Sequence, residues 1–589
     1  MAATKYEVRP GVYYDSVVLM QLQKSLAEMP GVIDAGVVMA TPANRELLES
    51  ADFDLTGIAA KADDLLIVVK GVDETAVTTS IGQVDDLLKR RSAKSAGDFC
   101  PHSLAGALDY LPQSQWVLIS VPGRYAAGVA GEALDLNQHV FLYSDNVPLE
   151  DEIALKRKAR EQGLLLMGPD CGTAIINGIG LGFANRVRRG SIGLVAASGT
   201  GLQAVSTGIH NLGGGISQAI GTGGRDLKRD VGGMTTLQAL DLLQRDSKTD
   251  VIVLISKPMD PAIAPAIINA AQSGDKPVII NLIGYPPPGR QIDNLSFAST
   301  LSEAAVLAAN LAGQLVDPEQ ENEFESQHVN WGYLRGLFSG GTLAYEALLG
   351  LQTFLAPIYS NIPLRPEQKL ADSMASQAHT ILDLGEDEFT QGRLHPMIDN
   401  DLRLRRLRQE AADPEVGLIL LDIVLGEGAH PDPASDLAPA IAEITNKTDI
   451  AVMAIVLGTD EDPQGVDGQI EKLKQAGAVV KRDVSQTVAE ISRRMKLPYR
   501  YEFAPVSTDR LDDGLAAINV GLESFYVSLK AQGAQAVHVD WRPPAGGVAW
   551  EEGHGRYPTS KRNGRRAHDV RTADPEERCC GAGRDPRDA

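Results

Sequence analysis

The feature that most constrains this chain is an alternation. Short, unbroken apolar runs with strand character are each followed by a segment of helical periodicity. "WVLISV" (116–121), "HVFLYS" (139–144) and "GLLLMG" (163–168) are three such runs. "SIGLVAA", "ISQAIGTGG", "DVIVLISKP" and "KPVIINLIG" carry the pattern through residues 191–315. "HTILDLG" (379–385), "VGLILLDIVLG" (416–426), "IAVMAIVLG" (450–458) and "AVVKRD" (478–483) repeat it within residues 330–500. Strands that are apolar on both faces must be covered on both faces, and the intervening helices supply the cover. The expected class is therefore α/β, built from parallel sheets.

A chain of 589 residues is too long for one core, and its punctuation suggests where it divides. Residues 1–95 read as a strand–helix–strand–helix–strand–helix unit of ferredoxin or ACT type. "SAKSAGDF" (92–99) is a linker. A Rossmann-like domain is expected over 101–188, a flavodoxin-like domain over 189–315 and a second one over 330–500, with the acidic linker "VDPEQENEFESQHV" between the last two. A strand–helix–strand extension covers 501–545. Residues 546–589 have no hydrophobic periodicity and are rich in Arg and Gly, so they read as a disordered or abnormal tail.

Charge and cysteine usage narrow the function classes. There are 77 acidic residues against 55 basic ones, a net charge of −22. Such a surface repels nucleic acid and anionic membrane, so an anionic substrate must be caught by local features. No apolar run reaches membrane-spanning length, and residues 1–15 do not resemble a signal peptide. Four scattered cysteines (100, 171, 579, 580) show neither metal-ligand spacing nor a disulfide framework, which fits a reducing cytoplasm. No metal site is expected.

The local features are helix starts. In "AASGTGLQAV" (196–205) a strand stops at Ser198-Gly199-Thr200-Gly201 and a helix begins. "GLFSGGTLAYEALLGL" (336–351) has the same grammar at Ser339-Gly340-Gly341-Thr342. Each alone is ordinary capping punctuation. Two of them on paired domains can aim two N-terminal dipoles at one anion.

The stretch "GLLLMGPDCGTAIINGIGLGFANRVRRGSIGLVAASGTGLQAV" resembles succinyl-CoA synthetase α subunits, and "FSGGTLAYEALLGL" resembles the corresponding β-subunit helix. Residues 1–545, including the ending "AVHVDWRPPAGG", resemble the FdrA branch of that superfamily. The resemblance implies two helix tips flanking a phosphate, with Ser198, Gly199, Thr200, Gly201, Ser339, Gly340, Gly341 and Thr342 as its binding residues. The chain also departs from the parent family. No histidine lies between His210 and His328, so the phosphohistidine relay is missing. The nucleotide-grasping domain and the CoA-holding Thr-Gly-Ser loop are missing too.

For the FdrA branch the resemblance implies oxamate carbamoyltransferase activity in allantoin breakdown, with phosphate and carbamoyl phosphate as substrates and with partner subunits. It leaves open CoA as a ligand, a ligase that borrows its nucleotide site from a partner, and a non-catalytic scaffold. Gly223, Gly224, Arg225 and Asp226 follow a strand end. Arg225 can clamp phosphate or a carboxylate, or pair with Asp226 or Asp230. Arg290, in "GYPPPGR", is either a catalytic cation where the family's histidine loop begins or an exposed turn residue. Asp170 can orient its turn or contact substrate. Cys171 reads as a small buried residue and His210 as packed or surface-facing. Asp383, Glu386, Asp387 and Glu388 can bind a metal or polarise an amine, but read first as a solvated acidic loop.

Overall fold

The computed structural model describes residues 3–313, apart from breaks at 12–15, 28, 41–43, 46–47, 50–52, 56, 62–63 and 93–100; residues 332–495 except 391–392; and residues 514–541. The expected linker 316–329, the tail 546–589, the flanks of the C-terminal extension, most of the 92–99 linker and three of the four cysteines lie outside the described residues.

The N-terminal strands β1 (Ala3–Arg9), β2 (Val32–Met39) and β3 (Leu65–Gly71) form an antiparallel sheet in the order β1-β3-β2. The central strand is apolar and almost wholly buried, as a strand between two neighbours must be. Asp73 caps the helix that follows by accepting from the Ala76 N–H.

Three further strands, β4 (Trp116–Ile119), β5 (His139–Leu142) and β6 (Leu166–Met167), make a small parallel sheet. The chain then turns through Asp170 into a hairpin, β7 (Thr173–Ile176) and β8 (Ile179–Gly182), which adds to the next sheet through β10. That sheet also holds β9 (Arg189–Ala196), β10 (Ile216–Gly221), β11 (Val251–Ile255), β12 (Val278–Asn281), β13 (Gln291–Ile292) and β14 (Leu295–Phe297). Its order is β13-β14-β12-β11-β9-β10-β7-β8, with a parallel centre. The Rossmann-like segment docks on this sheet through buried charges. Lys156 pairs with Glu152 at 3.1 Å and with Asp226 at 2.6 Å, and donates to the Thr222 carbonyl.

The last large sheet is parallel throughout: β15 (Tyr333–Phe338), β16 (Ile358–Ser360), β17 (His379–Asp383), β18 (Val416–Val424), β19 (Ala451–Leu457) and β20 (Val479–Lys481), in the order β16-β17-β15-β18-β19-β20. All nine residues of β18 are buried, which explains its nearly apolar spelling, with Asp422 as its one charged residue.

The β9–β14 half and the β15–β20 half share one hydrophobic cluster, from Ile192 and Leu202 to Phe338 and Leu418. Polar contacts lock them together. Asn185 donates to Asp462 at 2.7 Å, and Glu427 N–H donates to the Ala184 carbonyl. Buried Glu346 accepts from Leu301 N–H, and burial pushes its carboxyl up to about 7. His210 is buried, as one of its two expected settings, and its Nε2 lies 2.6 Å from Asp460 across the junction. The order of these two halves along one chain places the interface inside the molecule.

Residues 514–541 belong to a separate unit, with β21 (Ala516–Val520) and β22 (Gln535–Val539) parallel and joined by the helix Glu523–Ala531. The strand–helix–strand expectation for this region describes it correctly.

Candidate functional site

Both Ser/Gly/Thr motifs begin helices, and the two helix starts touch. The first tip helix (Gly199–Asn211) follows β9, and the second (Gly341–Leu351) follows β15. Ser198 caps the first by accepting from Gly201 N–H at 2.8 Å, and its hydroxyl also meets the Thr342 hydroxyl of the second. A Cβ on Gly340 would come within 2.6 Å of Thr200 Cγ2, so the glycine allows the close approach. The N–H groups of Gly199, Thr200, Gly341 and Thr342 have no protein acceptor among the described residues. Four donors and two dipole ends therefore share one spot.

Charged side chains from remote strand ends surround it. Asp422, at the end of β18, accepts from Ser339 N–H (2.7 Å), Ser339 Oγ (2.9 Å) and Gly340 N–H (2.8 Å). It thereby anchors the turn that leads into the second helix, which has no side-chain cap. Arg403, itself buried, balances it at 3.3 Å. Asp383, at the end of β17, lies against Gly341 and accepts from Gly385 N–H. It is 3% exposed, not solvated as its acidic loop suggested. Burial, with Glu386 nearby, pushes its carboxyl up to about 8, so it holds a proton at neutral pH.

Lys257 follows β11 and brings the one cation that shifts several of these groups together. It feels Asp170, Glu386, Asp383 and Tyr345, and the carboxylates among them hold its pKa above the ordinary lysine value although burial opposes this. Its ion pair with Asp170 is long at 3.9 Å, and it makes no hydrogen bond to the protein among the described residues. Asp170 has left-handed backbone and an exposed side chain that points its carboxylate toward Lys257. His395 completes the surround. Its Nδ1 accepts from Met397 N–H, and burial with the nearby Lys257 and Arg403 pushes its ring down to about 4, so it is neutral with its proton on Nε2.

Known proteins place this arrangement. Residues 337–493 match the family model described as CoA-ligase, and residues 1–101 match the one described as AllF, heavy metal-associated domain. The chain is 39% identical over 502 residues to the uncharacterized protein YahF of Escherichia coli (strain K12), covering 82% of this chain and 97% of that one. This chain belongs to the FdrA family of the succinyl-CoA synthetase superfamily. The α subunit 1 of the ADP-forming succinate–CoA ligase of Archaeoglobus fulgidus is 28% identical over 208 residues, covering 34% of this chain and 70% of that subunit. The apo dinucleotide-forming acetyl-coenzyme A synthetase 1 of Ca. Korarchaeum cryptofilum aligns at 17% identity and a TM-score of 0.31, over 68% of this chain and 86% of that one.

Within this FdrA chain the remaining expected site residues separate. Gly223 and Gly224 pack on the Asp170 turn. A Cβ on Gly224 would meet Asp170 Oδ2 at 2.7 Å and Lys257 Nζ at 3.4 Å. Arg225 turns away to Glu152 at 2.8 Å and to the Val147 carbonyl, so its ion-pair partner is Glu152 and not Asp226 or Asp230. Arg290 is exposed and paired with Glu303. Cys171 is buried and its thiol is pushed up to about 12, as a packed residue. The segment that matches the heavy-metal description, residues 1–101, contains one cysteine, Cys100, and no histidine. Among the described residues no group of three or more His, Cys, Asp or Glu could hold a metal ion, and no helix is long and apolar enough to cross a membrane.

Proposed function

We propose that the touching helix tips form a phosphate and acyl-phosphate centre, and that the chain serves as the FdrA-type subunit of an oxamate carbamoyltransferase acting with partner subunits. The observation that carries this reading is the convergence of Ser198 and Thr342, 144 residues apart, with four N–H donors left open around them. A phosphate held there gains two dipole ends without an imidazole carrier. The open N–H groups of Gly199, Thr200, Gly341 and Thr342 bind it, whereas Ser339 and Gly340 give their donors to Asp422 and Gly201 gives its own to Ser198; Asp170, Gly223 and Gly224 with Lys257 hold the organic end.

In the phosphorolytic direction a phosphate oxygen attacks the carbamoyl carbon of oxalurate. The carbon–nitrogen bond to the oxamate nitrogen breaks, and that nitrogen takes a proton. Asp383, protonated at neutral pH, is placed to give it. The N–H groups hold the phosphate in line, and positioning supplies most of the acceleration.

A second reading, a component of an acid–thiol ligase, draws on the CoA-ligase family model and the succinate–CoA ligase relatives. The two are separated by co-expressing the chain with its genomic neighbours and measuring oxalurate cleavage. Carbamoyl transfer predicts cleavage that needs phosphate but neither ATP nor CoA, and is lost on Ser198→Ala or Thr342→Ala with the complex intact. Product formation only with nucleotide and CoA overturns it in favour of the ligase.

A further inference from the structure

One polar side chain beside the tips has no task in holding phosphate. His395 accepts from Met397 N–H through Nδ1, which leaves its proton on Nε2. That Nε2–H meets no acceptor among the described residues. The ring is half-buried, so the donor stays open to a ligand. Its position is fixed by its neighbours. Phe183, from the other half of the molecule, packs on the ring with centroids 5.3 Å apart. Arg393, on the same loop, donates to Asn44 of the N-terminal unit.

Gly385 shows what stands around the donor. A Cβ there would lie 2.8 Å from His395 Nε2, 3.0 Å from the Ser339 carbonyl oxygen and 3.2 Å from Asp383 Oδ1. Three polar atoms from three segments thus cluster on one side of a glycine, whose bare backbone lets them approach. The Ser339 carbonyl accepts no hydrogen bond among the described residues. An open donor beside an open acceptor is what a primary amide needs, because its oxygen takes a hydrogen bond and its NH2 gives one.

We propose that His395 and the Ser339 carbonyl clamp the carbamoyl group itself: His395 Nε2–H donates to the carbamoyl oxygen, and the Ser339 carbonyl accepts from the amino group. The inference rests on the reading of the tips as a carbamoyl-transfer centre and names what selects carbamoyl over other acyl groups there. As a phosphate oxygen bonds to the carbamoyl carbon, the carbonyl electron pair moves onto the carbamoyl oxygen. It returns when the carbon–nitrogen bond to oxamate breaks. His395 stabilises the charge in between and keeps its own proton. An acetyl group has the same shape but carries a methyl in place of the amino group, which leaves the Ser339 carbonyl unpaired.

The test uses the complex formed with the genomic neighbours, assayed for phosphate-dependent oxalurate cleavage. Carbamoylphosphonate and acetylphosphonate serve as inhibitors of matched shape. The first is expected to bind about 10- to 100-fold more tightly. His395→Ala is expected to lower kcat about 100- to 1000-fold while the KM for phosphate stays unchanged. His395→Gln, which keeps an N–H donor, should recover part of that loss. Gly385→Ala, whose Cβ presses on both clamp groups, should erase the preference between the phosphonates. If it fails to fold, the wild-type preference and the His395 variants decide. The proposal is overturned if wild type cleaves oxalurate but binds both phosphonates equally, if His395→Ala keeps wild-type kcat, or if folded Gly385→Ala keeps the preference. Each of those leaves the carbamoyl-transfer reading standing. If wild type shows no phosphate-dependent cleavage, that reading falls and the clamp with it.

Discussion

The two helix tips have nearly the same spelling and are finished in different ways. The first tip is closed from within: Ser198 caps its own helix through Gly201. The second has no side-chain cap, and the turn that leads into it is anchored by Asp422, 83 residues later in the chain. The first is therefore set by local sequence and survives as a unit. The second exists only when β15 and β18 are paired, and it brings buried charge with it. Similar letters give one helix start closed by its own serine and one whose entry turn depends on the sheet.

The strongest way to break this contrast is Asp422→Ala. It strands buried Arg403 and opens the Ser339 and Gly340 N–H groups, and removing one partner of a buried pair costs about 3–5 kcal/mol. Denaturant unfolding should show that loss; a change as small as that of a surface carboxylate would refute Asp422 as the anchor of the second helix's entry turn. Gly340→Ala comes next. Its Cβ would press on Thr200, and overpacking of this kind costs about 1–3 kcal/mol. Phosphate protection against thermal unfolding should vanish with it, while full protection would show that the tips do not act jointly.

Ser198→Ala tests the self-capped side. Loss of a helix cap costs about 1 kcal/mol, so its midpoint shift should be smaller than that of Asp422→Ala. Equal shifts would erase the difference between the tips. The probe whose effect depends on pH is Asp383→Asn. The folded protein keeps a proton on Asp383 up to about pH 8 that the unfolded chain releases near 3.8. Wild-type stability therefore falls as pH rises between those values and levels off above. The asparagine variant should lack that part of the slope, so its advantage over wild type grows with pH. A pH-independent difference would sink the assignment.

Much of the architecture was legible in the chain. Apolar runs such as VGLILLDIV can only be strands buried on both faces, and Ser198 with Gly201 can only begin a helix where a strand has just ended. The charged surround was not legible. Lys257 sits in "LISKPMD" with nothing nearby to mark it, and His395 lies outside the gap where a histidine was sought. Asp383 looked like one of four solvated acids because its loop is acidic, yet β17 carries it beneath the second tip. Arg225 looked like a phosphate clamp because it follows two glycines, yet Glu152, a helix residue more than seventy positions earlier, takes its guanidinium.

By itself, then, the sequence determined the strands, the helices and the two places where N–H groups are left without partners. Those depend on side-chain period and on hydrogen bonds within four residues. Tertiary structure decided that the two places meet, which carboxylate anchors the turn before one of them and which lysine lies among the neighbouring carboxylates. Coulomb and capping interactions act through space, and no local spacing records which strand end will arrive beside which helix start.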